Sequence, residues 1–320
     1  MPFEAPLYTE GLGQPPVRRY TGPIIDAHTH VEDVANAWLL YRAAQAFGIQ
    51  VFCGVVRPAV IDALKHEFGE SFRPIVRIDH SLIGQPSRFA RENVLAIREG
   101  RAKGAVAAKF WYAPRFIAET HFRFDNPGLR PILATLVDLG MPALVHVADP
   151  DCWFERQYSD AARYGTKAAQ YEALERTLSA LPDLKVQGAH FGGDPEDLDH
   201  VRRLMDKYPN YYIDTSATKW IARELSAAPA ESRAFVVERA DRIVFGSDLV
   251  AFGDATPAHY GSRYWVQRWL WEGEGARPSP IPDPCVSDPE GLTVHGLALP
   301  DDVLAKLYTG NARRLLGIEI

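Results

Sequence analysis

Cysteine is scarce in this 320-residue sequence: Cys53, Cys152 and Cys285 are the only three, and they lie far apart. An odd number at such spacing argues against a disulfide framework and against a cysteine-ligated zinc site. It also favours a reducing compartment, so we expect a cytoplasmic protein. No apolar run approaches the roughly eighteen residues of a membrane span. Residues 1–22 lack the basic start and the apolar stretch of a secretory signal.

Positive charge is sparse as well. The net charge is −6, the pI is about 5.9, and the basic residues are scattered along the chain. Nucleic acids bind to focused basic surfaces, so we expect no nucleic-acid partner, and we expect no membrane partner either. Hydrophobic residues make up 47% of the chain and charged residues 24%, which are globular proportions. The expected partner is a small-molecule substrate.

Short apolar runs alternate with longer amphipathic stretches. The runs are rich in valine, isoleucine and alanine without polar alternation, which is typical of parallel strands buried on both faces. We predict eight strands: Pro23–Ala27, Ile49–Val55, Arg73–Asp79, Ala105–Phe110, Pro142–Val147, Leu184–Ala189, Asn210–Asp214 and Arg242–Phe245. We predict eight helices: Val34–Phe47, Pro58–Phe68, Arg88–Gly100, Pro131–Gly140, Ala168–Ala180, Pro195–Lys207, Ile221–Ala240 and Asp301–Leu316.

Eight successive strand–helix units fit an α/β fold of the (β/α)8 TIM-barrel type better than a doubly wound sheet of five or six strands. Such a barrel typically takes about 250 residues. We place the surplus in an N-terminal arm, residues 1–22, and in a long insertion after strand eight, at about residues 249–300. The prediction is one domain, residues 1–320, with the insertion on the catalytic face.

In a TIM barrel the functional residues lie where the strands end, at the C-terminal mouth. Five predicted strands end in residues that can do chemistry. These ends are Asp26–His30, Lys109–Trp111, Val145–Val147, Ala189–Phe191 and Gly246–Asp248. Four histidines and an aspartate therefore reach one rim of the barrel from four strands.

The step from His28 to His30 has a simple physical meaning. Residues two apart on a strand point to the same side, so both imidazoles can reach one ion. With His146 and Asp248 they form a nitrogen and oxygen donor set that suits Zn²⁺ and accommodates Mn²⁺, Fe²⁺ or Co²⁺. At least one coordination position stays open for water or substrate, as in catalytic sites. When a His-x-His motif occurs without further ligands, the alternative is that its histidines lie in the core or on the surface with their hydrogen bonds satisfied.

At these motifs the sequence resembles the amidohydrolase superfamily of metal-dependent TIM-barrel enzymes. It is most similar to the branch that holds aminocarboxymuconate-semialdehyde decarboxylase and γ-resorcylate decarboxylase. The resemblance runs from about Pro23 to the C-terminus. The matching segments are Ile25–His30, Ala143–Val147, Gly188–Gly192, Ile243–Asp248 and Tyr308–Leu316.

The resemblance implies that His28, His30, His146 and Asp248 bind the metal and that His190 is a catalytic acid, base or electrophile. The chemistry of these residue types agrees. A metal ion can lower the pKa of bound water to about 7. Asp248 is placed to accept that water's proton and to pass it to the leaving group. His190 can polarise a substrate oxygen or relay a proton.

Lys109 leaves two interpretations open. It ends the fourth strand, where two-metal members of the superfamily carry a carboxylated lysine that bridges their ions. In the branch that this sequence resembles, the lysine usually stays unmodified and one metal suffices. We expect one ion per chain; if two ions bind, His190 becomes a ligand too. A lysine paired with a nearby carboxylate is the structural alternative.

Other residues near the predicted mouth are weaker candidates. Trp111, Tyr112 and Arg115 follow the fourth strand and are candidates for contact with an aromatic or carboxylate-bearing substrate. A Trp-Tyr pair in a loop is, however, more often a packing feature. His80, just past the third strand, is interpreted as a surface histidine.

Two later segments receive structural interpretations. Asp149 and Asp151 flank Pro150 and are interpreted as turn formers, with substrate contact as the alternative. The stretch Tyr260–Trp271 is dense in aromatic residues, which is typical of core or subunit contacts. It precedes Glu272–Pro300, a stretch rich in proline and glycine that has no periodicity and is compatible with a lid, a pocket wall or an oligomer arm.

Three functional hypotheses follow. The primary one is a hydrolase that uses metal-activated water to cleave a small amide, ester or lactone. The alternative is a non-oxidative decarboxylase of an aromatic or unsaturated carboxylic acid, a lyase with the same metal site. A barrel that binds metal without turnover is disfavoured by the complete ligand set. By resemblance, a homodimer is the expected assembly.

Overall fold

Nine parallel strands form the central sheet, and their order around the sheet follows the order of the chain from β1 to β8. The structure is a computed structural model that describes residues 6–288 and 291–320. The strands are β1 (Ile24–His30), β2 (Ile49–Val56), β3 (Phe72–Arg77), β4 (Ala107–Tyr112), β5 (Ala143–Val147), β6 (Val186–Gly188), β7 (Tyr211–Asp214), β8 (Ile243–Val244) and β9 (Leu249–Val250).

β8 and β9 are two short segments of the eighth strand position. β8 pairs with β7, and β9 pairs with β1. Between them, the Ala27 N–H donates to the Phe245 carbonyl at 2.9 Å, and the Asp248 N–H donates to the His28 carbonyl at 2.7 Å. The ring of parallel strands therefore closes, and the predicted TIM barrel is confirmed. The eight predicted strands are all present, with ends displaced by no more than three residues.

Helices surround the strands. They are α1 (Val34–Ala46), α2 (Ile61–Phe68), α3 (Pro86–Ala102), α4 (Pro114–Thr120), α5 (Arg130–Leu139), α6 (Asp151–Arg156), α7 (Ala161–Tyr164), α8 (Lys167–Ala180), α9 (Leu198–Lys207), α10 (Thr218–Ala227), α11 (Pro229–Glu238), α12 (Pro257–Glu272), α13 (Asp301–Ala305) and α14 (Asn311–Leu316). The helix predicted over Ile221–Ala240 is divided because Pro229 cannot continue a hydrogen-bonded helix and begins a new one. The last predicted helix is interrupted by a π-helical segment, Lys306–Gly310.

Two apolar layers hold the barrel together. The larger lies between the strands and the surrounding helices. The smaller fills the barrel interior and includes Ile25, Val51, Ile75, Leu144 and Val244. The C-terminal helix α14 adds Leu315 and Leu316 to this inner layer. The Asn311 side chain donates to the carbonyls of Ala240 and Ile243, each at 2.6 Å, and so ties α14 to the start of β8.

The segment predicted as an insertion contains regular structure. α12 packs against α1 and α10, the helices that follow β1 and β7, so it takes the place of the eighth barrel helix. The aromatic stretch Tyr260–Trp271 belongs to the core, since most of its side chains are buried. After it, β10 (Glu274–Pro278) and β11 (Thr293–Leu297) form an antiparallel hairpin that packs on α12.

Cys152 and Cys285 form a disulfide with an S–S distance of 2.05 Å, and Cys53 is free and buried. The expectation that the cysteines form no disulfide is wrong for this pair. The two residues are 133 positions apart, and they meet because the loop after β10 crosses to α6. None of the helices in residues 6–288 and 291–320 combines the length and apolar character of a membrane span.

Candidate active site

The carboxylate of Asp248 joins the two histidines of β1. Its Oδ1 lies 2.9 Å from Nε2 of His30 and 3.1 Å from Nε2 of His28. His28 is fully buried, whereas the side chains of His30 and Asp248 remain 27% and 30% exposed. The group of three side chains is therefore in contact with solvent through His30 and Asp248.

Asp214, at the end of β7, fixes the orientation of His28. Its Oδ2 lies 2.9 Å from Nδ1 of His28, and neither side chain is exposed. Burial alone would raise the pKa of Asp214, but His28 outweighs it and holds the pKa below its usual range. An ionised carboxylate can only accept, so Nδ1 of His28 carries the proton and Nε2 offers its lone pair to the group around Asp248.

The donor chemistry of this group fits a divalent cation. The lone pair on Nε2 of His28 faces a carboxylate oxygen at 3.1 Å, and a cation beside these two acceptor atoms favours their close approach. Lys109 contributes positive charge there, since its Nζ lies 2.9 Å from the same nitrogen. Burial lowers the pKa of Lys109 to about 8, against the opposing charges of Asp248 and Asp214. Imidazole nitrogen and carboxylate oxygen are donors that Zn²⁺ and Mn²⁺ accept.

His190 follows β6 and lies beside the group. Its Nδ1 is 2.7 Å from Oγ of Ser216, and its Nε2 is 4.0 Å from Oδ2 of Asp248. Burial lowers the pKa of His190 well below its ordinary value, so the imidazole is neutral. Burial would raise the pKa of Asp248, but the hydrogen bond with Nε2 of His30 helps to hold that pKa well below its usual range.

His146, on β5, lies one step further away. Its Nδ1 is 3.0 Å from Nε2 of His190, and its Nε2 is 3.0 Å from Oδ1 of Asp149. The donor atoms of His28, His30 and Asp248 lie within 4.8 Å of one another, and His146 is not a member of that group. Of the four predicted ligands, three are thus brought together directly and the fourth is connected through His190.

The backbone at the mouth adopts an unusual conformation. Ala148, His190, Ala217 and Asp248, which follow β5, β6, β7 and β8, have φ values of 61°, 58°, 59° and 58°. Side chains other than glycine rarely adopt this left-handed region, and each such residue costs on the order of 1–3 kcal/mol. Backbone hydrogen bonds hold two of them: the His190 N–H donates to Asp214, and the Asp248 N–H donates to the His28 carbonyl. The residues with this strained backbone therefore lie at the strand ends that carry the candidate residues.

Three tryptophans form an aromatic wall beside the histidines: Trp111, Trp153 and Trp220. The ring centroid of Trp220 is 5.3 Å from that of His190, and the centroid of Trp111 is 6.4 Å from that of His146. Trp153 packs edge-on against Trp220 at 5.0 Å. The wall makes the mouth apolar on the side of His146 and His190.

Arg115 lies at the edge of this wall. Its guanidinium carbon is 5.0 Å from the ring centroid of Trp111, and the side chain is exposed. Tyr112, which the sequence predicts as a substrate contact together with Trp111 and Arg115, is only 1% exposed. It packs in the core against Phe116 and Phe124. The structure therefore brings Trp111 and Arg115 to the mouth and leaves Tyr112 inside the barrel wall.

His80 is not the surface histidine that the sequence predicts. Its ring packs against Phe89, Tyr112 and Phe116, with centroid distances of 6.3, 5.6 and 4.9 Å. Asp151, in contrast, lies outside the site and forms an ion pair of 2.9 Å with Lys167. The interpretation of Asp149 as a turn former misses its burial and its contact with His146.

Asp214 and Ser216 are the functional candidates that the sequence reasoning missed. Asp214 is the last residue of the predicted seventh strand, so the rule that selected the other candidates would have found it. Asp26 belongs to the matching segment Ile25–His30, and the sequence assigns it no role. It is fully buried and accepts hydrogen bonds from the hydroxyls of Ser247 at 2.6 Å and Tyr264 at 2.8 Å. Burial raises the pKa of Asp26 to about 6.

A sequence profile described as amidohydrolase matches residues 25–318. The chain belongs to the amidohydrolase family. It is therefore an enzyme of the amidohydrolase superfamily, in which divalent metals are used. No curated protein has a sequence that matches this amidohydrolase significantly.

Solved structures agree on the fold of this amidohydrolase. An uncharacterised TIM-barrel protein from Bordetella bronchiseptica has a TM-score of 0.58 and 17% identity, covering 92% of this chain and 99% of its own. 5-Carboxyvanillate decarboxylase from Novosphingobium aromaticivorans, complexed with manganese and 4-hydroxy-3-methoxy-5-nitrobenzoic acid, has a TM-score of 0.54 and 12% identity, covering 96% and 98%. Dihydroorotase from Campylobacter jejuni has a TM-score of 0.51 and 15% identity, covering 93% and 84%.

Proposed function

We propose that this amidohydrolase is a metal-dependent hydrolase that cleaves a small amide, ester or lactone with water. The position of Asp248 carries the proposal. Its carboxylate contacts both histidines of β1, and its second oxygen lies 4.0 Å from Nε2 of His190. A carboxylate that stays ionised thus lies between the histidine pair of β1 and a neutral imidazole, and its side chain is 30% exposed.

His28, His30, His146 and Asp248 would hold one divalent ion, Zn²⁺ first, with Mn²⁺, Fe²⁺ and Co²⁺ as alternatives. When bound, the ion would supply Lewis acidity and make water a stronger acid. The contact between Nζ of Lys109 and Nε2 of His28 supports one ion per chain, because an amine in that position acts as a hydrogen-bond donor. Bridging a second ion would require a carboxylated lysine.

Asp248 is the proton acceptor in this proposal. When the oxygen of water attacks the substrate carbonyl, water loses a proton, and Asp248 takes that proton. The bond from the carbonyl carbon to nitrogen or oxygen then breaks, and the leaving atom needs a proton. His190 relays that proton from Asp248, from which its Nε2 is separated by 4.0 Å.

The hydrogen bonds around His190 support a relay role. Ser216 contacts the Asp214 carboxylate, which can only accept, so the Ser216 hydroxyl donates to it. The oxygen of Ser216 then accepts from Nδ1 of His190 at 2.7 Å. Nε2 of His190 is left as an acceptor that can take a proton and release it.

The substrate class is tested with purified, metal-loaded protein and a panel of lactones, esters and amides. The proposal predicts one molecule of acid released per bond cleaved, without CO₂. The variant His190→Asn should lose this activity, whereas His66→Asn, which changes an exposed histidine on α2, should keep it. Acid release from none of the panel, together with CO₂ release from a carboxylated phenol, would exclude the hydrolase.

A non-oxidative decarboxylase is the second candidate, and the aromatic wall favours it. Trp111 and Trp220 lie beside His146 and His190, and Arg115 offers an exposed cation to a carboxylate. In that reaction the bond between the ring carbon and the carboxylate breaks, CO₂ leaves, and a proton taken from solvent and relayed by Asp248 or His190 replaces it on the ring carbon. Measurement of CO₂ and of the decarboxylated phenol in equal amounts would establish this reaction.

A further inference from the structure

We propose that Asp149 is a positioning residue of the candidate site, which holds the ring of His146 so that Nδ1 faces the centre. The inference rests on the proposed function in taking His146 as a metal ligand. Asp149 is buried, and its contact with the candidate ligands is the one with His146, so it would act through His146.

The contact is a buried one. Oδ1 of Asp149 lies 3.0 Å from Nε2 of His146, and the two residues are 1% and 7% exposed. Ala148 lies between them with φ of 61°, and this left-handed turn brings Asp149 back towards the side chain three positions earlier. A backbone conformation that costs on the order of 1–3 kcal/mol is thus used to make one side-chain contact.

The hydrogen-bond partners of His146 determine which of its ring nitrogens carries the proton. A carboxylate accepts and does not donate, so the proton of His146 is on Nε2 and the lone pair is on Nδ1. Nδ1 points at Nε2 of His190, 3.0 Å away. Nε2 of His190 is also an acceptor, because Ser216 donates to Asp214 and accepts the proton of Nδ1 of His190. Two lone pairs at this distance favour a cation beside them, which matches a metal ligand at Nδ1 of His146.

Asp214 orients His28 in the same way. Asp214 holds Nδ1 of His28 at 2.9 Å and leaves Nε2 to face the centre. Asp149 holds Nε2 of His146 and leaves Nδ1. Each histidine is therefore oriented by its own carboxylate, through opposite ring nitrogens, and each presents one lone pair inward. Carboxylates that orient ligating histidines in this way raise metal affinity by about 10–100-fold.

The first test uses the unmodified protein. Nitrogen-15 NMR of histidine-labelled, metal-free protein reports which ring nitrogen carries the proton, and His146→Gln assigns the signals. We expect the proton of His146 on Nε2 and that of His28 on Nδ1. Addition of Zn²⁺ should shift the Nδ1 signal of His146 and leave its Nε2 protonated. A proton on Nδ1 of His146 in the metal-free protein, or a shift at Nε2 on addition of Zn²⁺, would overturn the proposal.

The second test measures Zn²⁺ affinity by competition with a chelator. In Asp149→Asn the amide can donate to Nε2 of His146 and so favours the opposite tautomer. We expect this variant to bind Zn²⁺ about 10–100-fold more weakly and to show a changed His146 spectrum. The control is Asp151→Asn, the same substitution two residues later at an exposed carboxylate, which should bind Zn²⁺ within about twofold of the parent.

A purely structural role for Asp149 would lower the thermal midpoint of the metal-free variant and leave its Zn²⁺ affinity and His146 tautomer unchanged. That outcome would overturn the proposal. Neither readout needs a substrate, so the inference survives if the enzyme proves to be a decarboxylase. If the parent protein binds no Zn²⁺, the proposed function fails, and the tautomer in metal-free protein still decides the role of Asp149.

Discussion

The side-chain amine of Lys109 lies 2.9 Å from Nε2 of His28, the nitrogen that Asp214 leaves free to bind a metal. The amine and a divalent ion are therefore alternatives for one lone pair. This relationship separates the two interpretations of Lys109. In the one-ion account the lysine competes with the ion for His28, whereas a carboxylated lysine would help to bind it.

Replacement of the lysine distinguishes them. Lys109→Met keeps much of the side-chain volume and removes the donor. We expect about one equivalent of metal per chain by elemental analysis in both proteins, and an affinity in the variant at least equal to that of the parent. About two equivalents in the parent, falling in the variant, would show that Lys109 bridges a second ion.

His190→Asn should separate catalysis from metal binding. The loss of a positioned acid or base lowers kcat by about 10²–10⁴-fold. The metal content should not change, because the donor atoms of His28, His30 and Asp248 remain together. Steady-state kinetics and elemental analysis of the same preparation check both points. Full activity in this variant would remove His190 from the mechanism.

Tyr264→Phe tests the support beneath the site. The variant removes a hydroxyl that donates to the buried carboxylate of Asp26 at 2.8 Å. Loss of a hydrogen bond to a buried charged group should lower the free energy of unfolding by about 1–3 kcal/mol. The control is Tyr41→Phe, which removes a hydroxyl bonded to the neutral carbonyl of Gln50 at 3.2 Å and should cost less. Equal losses in urea denaturation would argue against a charged Asp26.

His80 should make the protein sensitive to acid. Burial lowers the pKa of His80 to about 4, against the opposing charge of Asp79. Its unfolded pKa is about 6.5, so the unfolded chain binds the proton first as the pH falls. Stability should therefore decrease between about pH 6.5 and pH 4, by up to about 3 kcal/mol.

The variant His80→Phe keeps an aromatic ring against Phe89 and Phe116 and cannot bind a proton. Its unfolding free energy should depend less steeply on pH in that window, as measured by urea denaturation at a series of pH values. The same substitution at exposed His66 should leave the slope of the parent unchanged. An unchanged slope in His80→Phe would show that His80 is accessible to protons in the folded protein.

The sequence was sufficient to predict the barrel because its strands are short apolar runs and its helices are amphipathic, and both patterns are local. The grouping of His28, His30 and Asp248 was also predictable, since chemistry-bearing residues at the ends of parallel strands meet at one rim. Asp214 ends the seventh strand, and the same rule applied to every strand would have included it.

Other features depend on the path of the chain in three dimensions. Cys152 and Cys285 are 133 residues apart, and no local pattern pairs them. The burial of Asp149 depends on the left-handed turn at Ala148, which its sequence next to Pro150 does not reveal. The sequence does not identify α12 as a barrel helix, because buried side chains lie all around it and it lacks the one-sided periodicity of a surface helix.

The most direct test of the central claim is whether hydrolysis depends on the ion. The protein is stripped with a chelator, its metal content is verified by elemental analysis, and turnover of the best amide, ester or lactone is measured before and after addition of Zn²⁺ or Mn²⁺. The account predicts that activity is lost on stripping and returns with about one equivalent of ion in the parent, and that it does not return in His30→Ala. Undiminished hydrolysis by verified metal-free protein would contradict it.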